Sequence, residues 1–564
     1  MAFNSYEFIF IFLPLTYAGF WLLVRWAAYT AAVNWLILTS IIFYAYAGLA
    51  GLEIIASEIL FNYLIASALV RTEPARKRLR RVLFVGGVTG NVLILSYFKY
   101  WNFLLATANT LWATNFNVDQ AIFPLGISFL TFQQIAFLAD VWSRQIPSFN
   151  LRDHLFFSLF FPRTVAGPIV RYKEIVPQLS ATAARDFVPN FAVGICLFSI
   201  GLFKKTVLAD GVAQFVPEAF NPPTAVWLSE PVSLLTAWIS VLAYTLELYF
   251  DFSGYSDMAL GAGRLFGVKL PMNFNSPLRA HNIVEFWGRW HITLTRFLTA
   301  YVYTPLVLHI TRTRLAKGKS VLHGRLSSLS AIVALVALPT LLTMAVSGVW
   351  HGVGWQFVIW GLLHGGYLTI NQSWRLLRPR FWPDQVSYDR IMKPLGAFLT
   401  FMAVTVAMVF FRATSPASAL SILGGMVGVN GVVPHLYENL GFGLSTYLVN
   451  LIMPFSWVGI LLLIVMLMPN SLELMRRFQP ASDFPRETKG MAHPQVIQSS
   501  VSVASIHVAS VTAYPKLRAA LTACTNVRTR GIALNGPTAA VIALTIVLAL
   551  FALSASSGFL YFRF

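Results

Sequence analysis

The 564-residue chain is 57% hydrophobic and only 11% charged, with a mean hydropathy of +0.66. Soluble domains carry about a quarter charged residues, so a water-covered globule is excluded. The formal net charge of +19 does not point to nucleic acid, because the basic residues sit in short connections between apolar runs, where Lys and Arg fix topology. Four runs close to the roughly 20 residues that span hydrocarbon open the chain: Phe8–Val24, Val33–Leu49, Ile54–Val70 and Val82–Tyr97. They read as ordinary lipid-facing helices. The first lacks a basic flank and a cleavage site, so it reads as a retained span. Between the third and fourth, Arg71–Arg81 sets six basic residues against Glu73, which predicts a cytoplasmic loop and an amino terminus outside. Thr107–Gln120, with Asp119 and no Lys or Arg, suits the outward loop that follows.

From Phe123 to Gln372 polar and ionisable residues enter the apolar stretches. Such residues are costly in lipid and tend to line cavities. Runs at Ile122–Leu138, Leu155–Phe161, Phe191–Phe203, Val232–Phe250, Thr295–Leu308, Leu329–Val349 and Trp355–Ile370 are separated by connections that include the basic Arg312–Arg325. Plain spans return at Leu395–Phe411 and Leu451–Met468. Residues 481–537 are polar and contain Pro485, Pro494, Pro515 and Pro537, so they read as a cytoplasmic loop insertion. Within it, Val501–Thr512 alternates loosely like a strand. Ala539–Ala555 and an aromatic terminus close the chain. The predicted fold is an all-α, multi-pass membrane bundle of roughly ten to thirteen segments, with broken or re-entrant helices forming a funnel-like core. Its divisions are 1–106, amino-terminal helices; 107–380, a catalytic core; 381–480, carboxy-terminal helices; 481–537, the polar loop; and 538–564, the last span. Cys196 and Cys524 suggest neither a disulfide framework nor a thiolate metal site.

Four clusters carry candidate chemistry. In Ser347-Gly-Val-Trp-His-Gly-Val-Gly-Trp355, His351 lies among helix-loosening glycines. An imidazole there can serve as general base for a hydroxyl, or it can be an interfacial histidine bonded to a backbone carbonyl. Glu285-Phe-Trp-Gly-Arg-Trp-His-Ile-Thr-Leu-Thr-Arg296, if helical, sets Trp287, His291 and Thr295 on one face near Arg289. That arrangement suits an anionic carrier or an acyl carbonyl; the alternative is an amphipathic interfacial helix. Tyr249-Phe-Asp-Phe-Ser-Gly-Tyr-Ser-Asp257 places Asp251 and Asp257 near membrane depth, where ion pairing with Arg264, Arg279 or Arg289 is the favoured reading over a site role. Phe160-Phe-Pro-Arg-Thr-Val-Ala-Gly-Pro-Ile-Val-Arg171 reads as a re-entrant loop carrying Arg163 and Arg171. No nucleophile elbow, phosphate loop or zinc-helix histidine pair occurs. His364 reads as a packing or hydrogen-bonding residue.

Taken in order, Pro124-Leu-Gly-Ile-Ser-Phe-Leu-Thr-Phe-Gln133, Phe161-Pro-Arg-Thr-Val-Ala-Gly-Pro-Ile169, Asp251-Phe-Ser-Gly-Tyr-Ser-Asp257, Asn273-Phe-Asn-Ser-Pro277, Phe286-Trp-Gly-Arg-Trp-His291 and Val349-Trp-His-Gly352 resemble the membrane-bound O-acyltransferase family. Val409-Phe-Phe-Arg-Ala413, Met468-Pro-Asn-Ser471 and Phe559-Leu-Tyr-Phe562 resemble its bacterial alginate O-acetyltransferase branch. The resemblance implies catalytic roles for His351 and His291, and substrate contacts from Trp287, Arg289, Trp350, Asp251, Asp257 and Asn273. It implies no metal and no cofactor. The expected donor is acetyl-coenzyme A, the expected partner a periplasmic acetyltransferase and the expected final acceptor an exported polysaccharide. The expected location, among the lipids of a bacterial inner membrane, leaves the amino terminus periplasmic. Two other classes fit broken helices at membrane depth: a transporter, for which the chain lacks inverted repeats, and a non-catalytic scaffold.

Overall fold

A backbone in hydrocarbon must satisfy its own polar groups, so apolar runs of this length become helices. A computed structural model describes residues 1–116, 124–179, 187–220, 232–322, 327–432, 443–483, 531–533, 535–553, 558 and 560. In chain order its main helices begin with α1 (Glu7–Trp26), α2 (Tyr29–Ala45), α3 (Leu49–Arg71) and α4 (Lys77–Trp112). Next come α5 (Ile127–Trp142), α6 (Leu151–Leu159), α7 (Phe187–Ala213) and α8 (Leu234–Leu265). The site region follows as α9 (Ile283–Trp287), α10 (Ile292–Leu298), α11 (Leu329–His351) and α12 (Trp355–Phe381). The last group is α13 (Gln385–Arg412), α14 (Pro416–Met426), α15 (Gly443–Leu467) and α16 (Gly536–Leu553). Eight helices among the described residues are long and apolar enough to cross a membrane, and α2, α5 and α14 are shorter apolar helices. The chain is an all-α, multi-pass membrane protein, as its composition requires.

The core is organised around α8. Every residue of α8 from Ala243 to Leu265 is buried, whereas only 17% of the apolar window of α4 is buried. A helix buried on all sides belongs at the centre of a bundle, and α4 turns most of its surface to lipid. Small residues let α7 and α8 touch through their backbones. A Cβ on Gly201 would lie 2.5 Å from Gly254 O, and one on Gly261 would lie 2.6 Å from Gly194 O. This seam brings Lys204 within 2.7 Å of Asp257 and Lys205 within 2.8 Å of Asp251. The two aspartates are therefore in ion pairs, but their partners are lysines of α7 and not Arg264, Arg279 or Arg289. The apolar run Val232–Phe250 ends at this cluster, and α8 continues through it to Leu265.

Two irregular segments run through the protein interior. Buried residues 160–170 follow α6 as a four-residue helix (Phe161–Thr164), a turn and a non-helical segment, the broken element that Pro162, Gly167 and Pro168 predict. The segment between α8 and α9 is satisfied by distant groups: Asn275 N donates to Arg289 O (2.9 Å), Lys269 N to Gln178 Oε1 (2.9 Å) and Met272 N to Asp483 Oδ1 (2.8 Å). Two sequence boundaries move. The fourth span continues past Tyr97 to Trp112 and absorbs the start of the Thr107–Gln120 loop. The Glu285–Arg296 segment is not one helix, because it breaks between Trp287 and Ile292. Most of the polar 481–537 loop, including Val501–Thr512 and Cys524, and most of the aromatic terminus lie outside the described residues.

Candidate active site

His351 is the last residue of α11, and the chain turns through Gly352 and Gly354 into α12. Gly354 has φ +140°, a conformation that a side chain disfavours. The turn folds α12 back so closely that a Cβ on Gly348 would meet Phe357 O at 2.2 Å, and one on Gly361 would meet Met344 O at 2.3 Å. The open carbonyls at the end of α11 are taken by the fourth span. Lys99 Nζ donates to Trp350 O (2.5 Å) and His351 O (3.2 Å), and Tyr100 Oη donates to Val349 O (2.6 Å). A cation at a helix carboxyl end also meets the negative pole of the helix dipole. His351 is thus held from its backbone while its buried ring faces Trp350, Trp360 and Phe411, with centroids at 4.9, 5.0 and 5.2 Å.

His291 precedes α10 in a left-handed conformation, φ +43° and ψ +51°, which costs a non-glycine residue about 1–3 kcal/mol. The surroundings hold it there: Ile292 N donates to Asn273 O (3.0 Å) and Thr295 N to His291 O (3.1 Å). Thr295 therefore fixes the backbone, and the shared helix face with Trp287 and Thr295 does not form. The ring is oriented by Asn273, whose Oδ1 lies 3.1 Å from His291 Nδ1. The same Oδ1 accepts from Thr293 N (3.3 Å) and from Thr293 Oγ1 (3.0 Å). A backbone N–H can only donate, so the amide oxygen is correctly placed and Nδ1 carries the proton. Neutral His291 then keeps its lone pair on Nε2.

The two histidines, 60 positions apart, bring their rings to a centroid separation of 6.2 Å at 61°. Leu248, Phe252, Trp290, His351, Trp360, Met408 and Phe411 line a cavity of about 10 Å³ beside them, roughly the room for one water. The separate sequence motifs meet here. Trp350 Nε1 donates to Ser128 O (3.3 Å) and stacks on Phe132 at 4.9 Å. Ile169 N donates to Thr293 Oγ1 (2.9 Å), and Asn470 Nδ2 donates to Asn275 Oδ1 (3.1 Å) and Ser276 Oγ (2.9 Å).

Comparison with known proteins carries the assignment further. Residues 143–324 match the model of the membrane-bound O-acyltransferase family. The chain is 39% identical to a peptidoglycan O-acetyltransferase of Helicobacter pylori over 77% of its own length and 81% of that protein. The chain belongs to the membrane-bound O-acyltransferase family. This acyltransferase is also 35% identical to a probable alginate O-acetylase of Azotobacter vinelandii, covering 73% and 75% of the two chains. Against a teichoic acid D-alanyltransferase of Streptococcus thermophilus it is 30% identical over 51% of its length and 68% of that protein.

In this O-acyltransferase the residues singled out in the sequence divide into two groups. His351, His291, Trp350 and Asn273 converge, and Trp287 joins them through Trp360 at 5.9 Å. Arg289 turns away into a partly exposed pair with Glu285 at 2.6 Å, and Asp251 and Asp257 are engaged by the lysines of α7. Arg163 is buried over the Phe157 ring and donates to Gln133 Oε1. Among the described residues no group of three His, Cys, Asp or Glu is placed to hold a metal ion. Sequence reading missed Lys99, Trp360 and Phe411. For Lys99 the signal was present, since a lysine inside an apolar run is itself a mark of function; for the aromatic pair there was none beyond the motif that contains Phe411.

Proposed function

We propose that this enzyme moves an acetyl group from acetyl-coenzyme A, entering from the cytoplasm, to hydroxyls of a cell-envelope polysaccharide. The observation that carries the reading is the approach of the buried His291 and His351 rings to 6.2 Å, beside an aromatic cavity that His351 lines, with the His291 tautomer fixed by Asn273. His351 takes the acceptor hydroxyl proton as the hydroxyl oxygen attacks the thioester carbonyl carbon. A C–O bond forms; collapse of the tetrahedral intermediate breaks the C–S bond, and the imidazolium returns its proton to the departing thiolate. His291 acts as an acceptor at Nε2 and aligns the hydroxyl. This tautomer favours alignment over donation to the developing oxyanion, the role that chemistry of this kind otherwise asks of a second polar group.

A buried cavity of about 10 Å³ leaves no room for a polymer beside His351, which supports transfer outward through a periplasmic partner acetyltransferase. The activities for which the relatives are named, O-acetylation of peptidoglycan and of alginate, support a glycan hydroxyl as the final acceptor and a bacterial inner membrane as the location. The basic Arg71–Arg81 and Arg312–Arg325 connections support a periplasmic amino terminus. The test is reconstitution in liposomes with radiolabelled acetyl-coenzyme A. His351→Ala is expected to insert and fold yet lose acetyl transfer by 10²-fold or more, the usual contribution of a general base. A variant that keeps more than about a tenth of wild-type turnover refutes the base assignment.

A further inference from the structure

The reaction above leaves a third buried histidine unused. His364, on α12, is fully buried, and among the described residues neither of its ring nitrogens has a hydrogen-bond partner. The indoles of Trp287 and Trp360 pack edge-on against it at 5.2 and 4.9 Å, and their Nε1 atoms lack partners as well. Four buried polar nitrogens thus meet in one place without acceptors, a concentration that packed cores avoid. Contacts between N–H groups and neighbouring ring faces recover only a fraction of a normal hydrogen bond. The cluster adjoins the reaction centre, because Trp360 also packs against His351, with ring centroids 5.0 Å apart, and both line the same cavity. It lies partway back along α11 from His351: a Cβ on Gly365, next to His364, would meet Leu341 Cα and Met344 Cβ, near the middle of that helix, at 3.2 and 3.3 Å. The amino-terminal end of α11 follows the basic Arg312–Arg325 connection, the cytoplasmic side in the orientation proposed above.

We propose that Trp287, Trp360 and His364 form the subsite for the neutral, amide-bearing arm of the thioester donor, which passes them on its way to His351. Indoles only donate and a neutral imidazole both donates and accepts. Together they complement an amide, which offers a carbonyl acceptor and an N–H donor. The three rings bring no charge, so the anionic head of such a donor binds elsewhere. This inference rests on the donor reading of the previous section.

The test compares wild type, His364→Phe and His364→Gln in liposomes. Three readouts apply: thermal melting, kinetics with acetyl-coenzyme A, and binding of its non-transferable thioether analogue in the His351→Ala background. Phenylalanine removes two unpartnered nitrogens, so His364→Phe is expected to melt at or above the wild-type temperature. It should nevertheless raise KM and weaken analogue binding by about tenfold or more, with kcat changed less than about threefold. Glutamine, which also donates and accepts, should recover most of the affinity. Should phenylalanine prove too large and lower the melting temperature, Trp287→Phe, which loses only the N–H-bearing ring, decides by the same KM and binding criteria. If wild type binds and transfers acetyl groups while His364→Phe binds the analogue equally well, this subsite is refuted and the acetyltransferase reading stands. A wild type that neither binds nor transfers refutes both.

Discussion

The contact between Lys99 and the carboxyl end of α11 yields the sharpest prediction for catalysis. Lys99→Met keeps the length of the side chain and deletes the ammonium group. In the folded protein that group serves the Trp350 and His351 carbonyls, and among the described residues no carboxylate pairs with it. A hydrogen bond contributes about 0.5–1.5 kcal/mol from a neutral donor and about 1.5–3 kcal/mol from a charged one, and a charge at the helix end adds up to about 2 kcal/mol. Without it, the end of α11 keeps the Tyr100 hydroxyl and a long 3.4 Å bond from Gly352 N to Gly348 O. A shift of about 1 Å in a reacting group costs on the order of 10²-fold in rate. Acetyl transfer in the reconstituted assay should therefore fall about 10- to 100-fold, equivalent to roughly 1.4–2.7 kcal/mol of transition-state stabilisation. Lys99→Arg, which can donate to the same carbonyls, should retain more activity than Lys99→Met. Melting temperature is a poor readout here, because deleting the partly buried amine also removes its desolvation cost. A Lys99→Met enzyme within twofold of the wild-type rate would show that this contact does not hold His351 in place.

Three further outcomes are expected. His291→Gln should keep more activity than His291→Ala, and Asn273→Leu, which removes the acceptor that fixes Nδ1–H, should cost about tenfold or more; equal rates for all three variants and wild type would remove His291 from the reaction. Gly348→Ala places a methyl group 2.2 Å from Phe357 O and should destabilise the α11–α12 contact by about 1–3 kcal/mol, seen as a lower melting temperature. Gly366→Ala, with open space around the added methyl, is the control, and a drop of the same size there would discount the packing argument. Cysteines placed at Arg78 and Thr114, at opposite ends of α4, should react with a membrane-impermeant thiol reagent from opposite faces of intact membranes; labelling of both from one face overturns the proposed orientation.

Local sequence was sufficient for the features that depend on local physics. Apolar run length dictates membrane helices because hydrocarbon leaves the backbone no other partner. The glycines around His351 and the prolines and glycine of residues 162–168 mark real breaks, since each acts on its own stretch of chain. The order of short motifs was enough to identify the family. Tertiary structure alone decided which polar groups meet. The partners of Asp251 and Asp257 depend on a glycine seam between α7 and α8 that lets two lysines reach them before any arginine does. The break at Trp287–Ile292 overrides a helical pattern because Asn273, from another segment, binds both the backbone after His291 and its ring. Lys99 reaches the His351 carbonyl from 252 positions away. Periodicity records which face of a helix is apolar, but a contact between distant segments depends on how several helices pack at once, and that information is spread over the whole bundle.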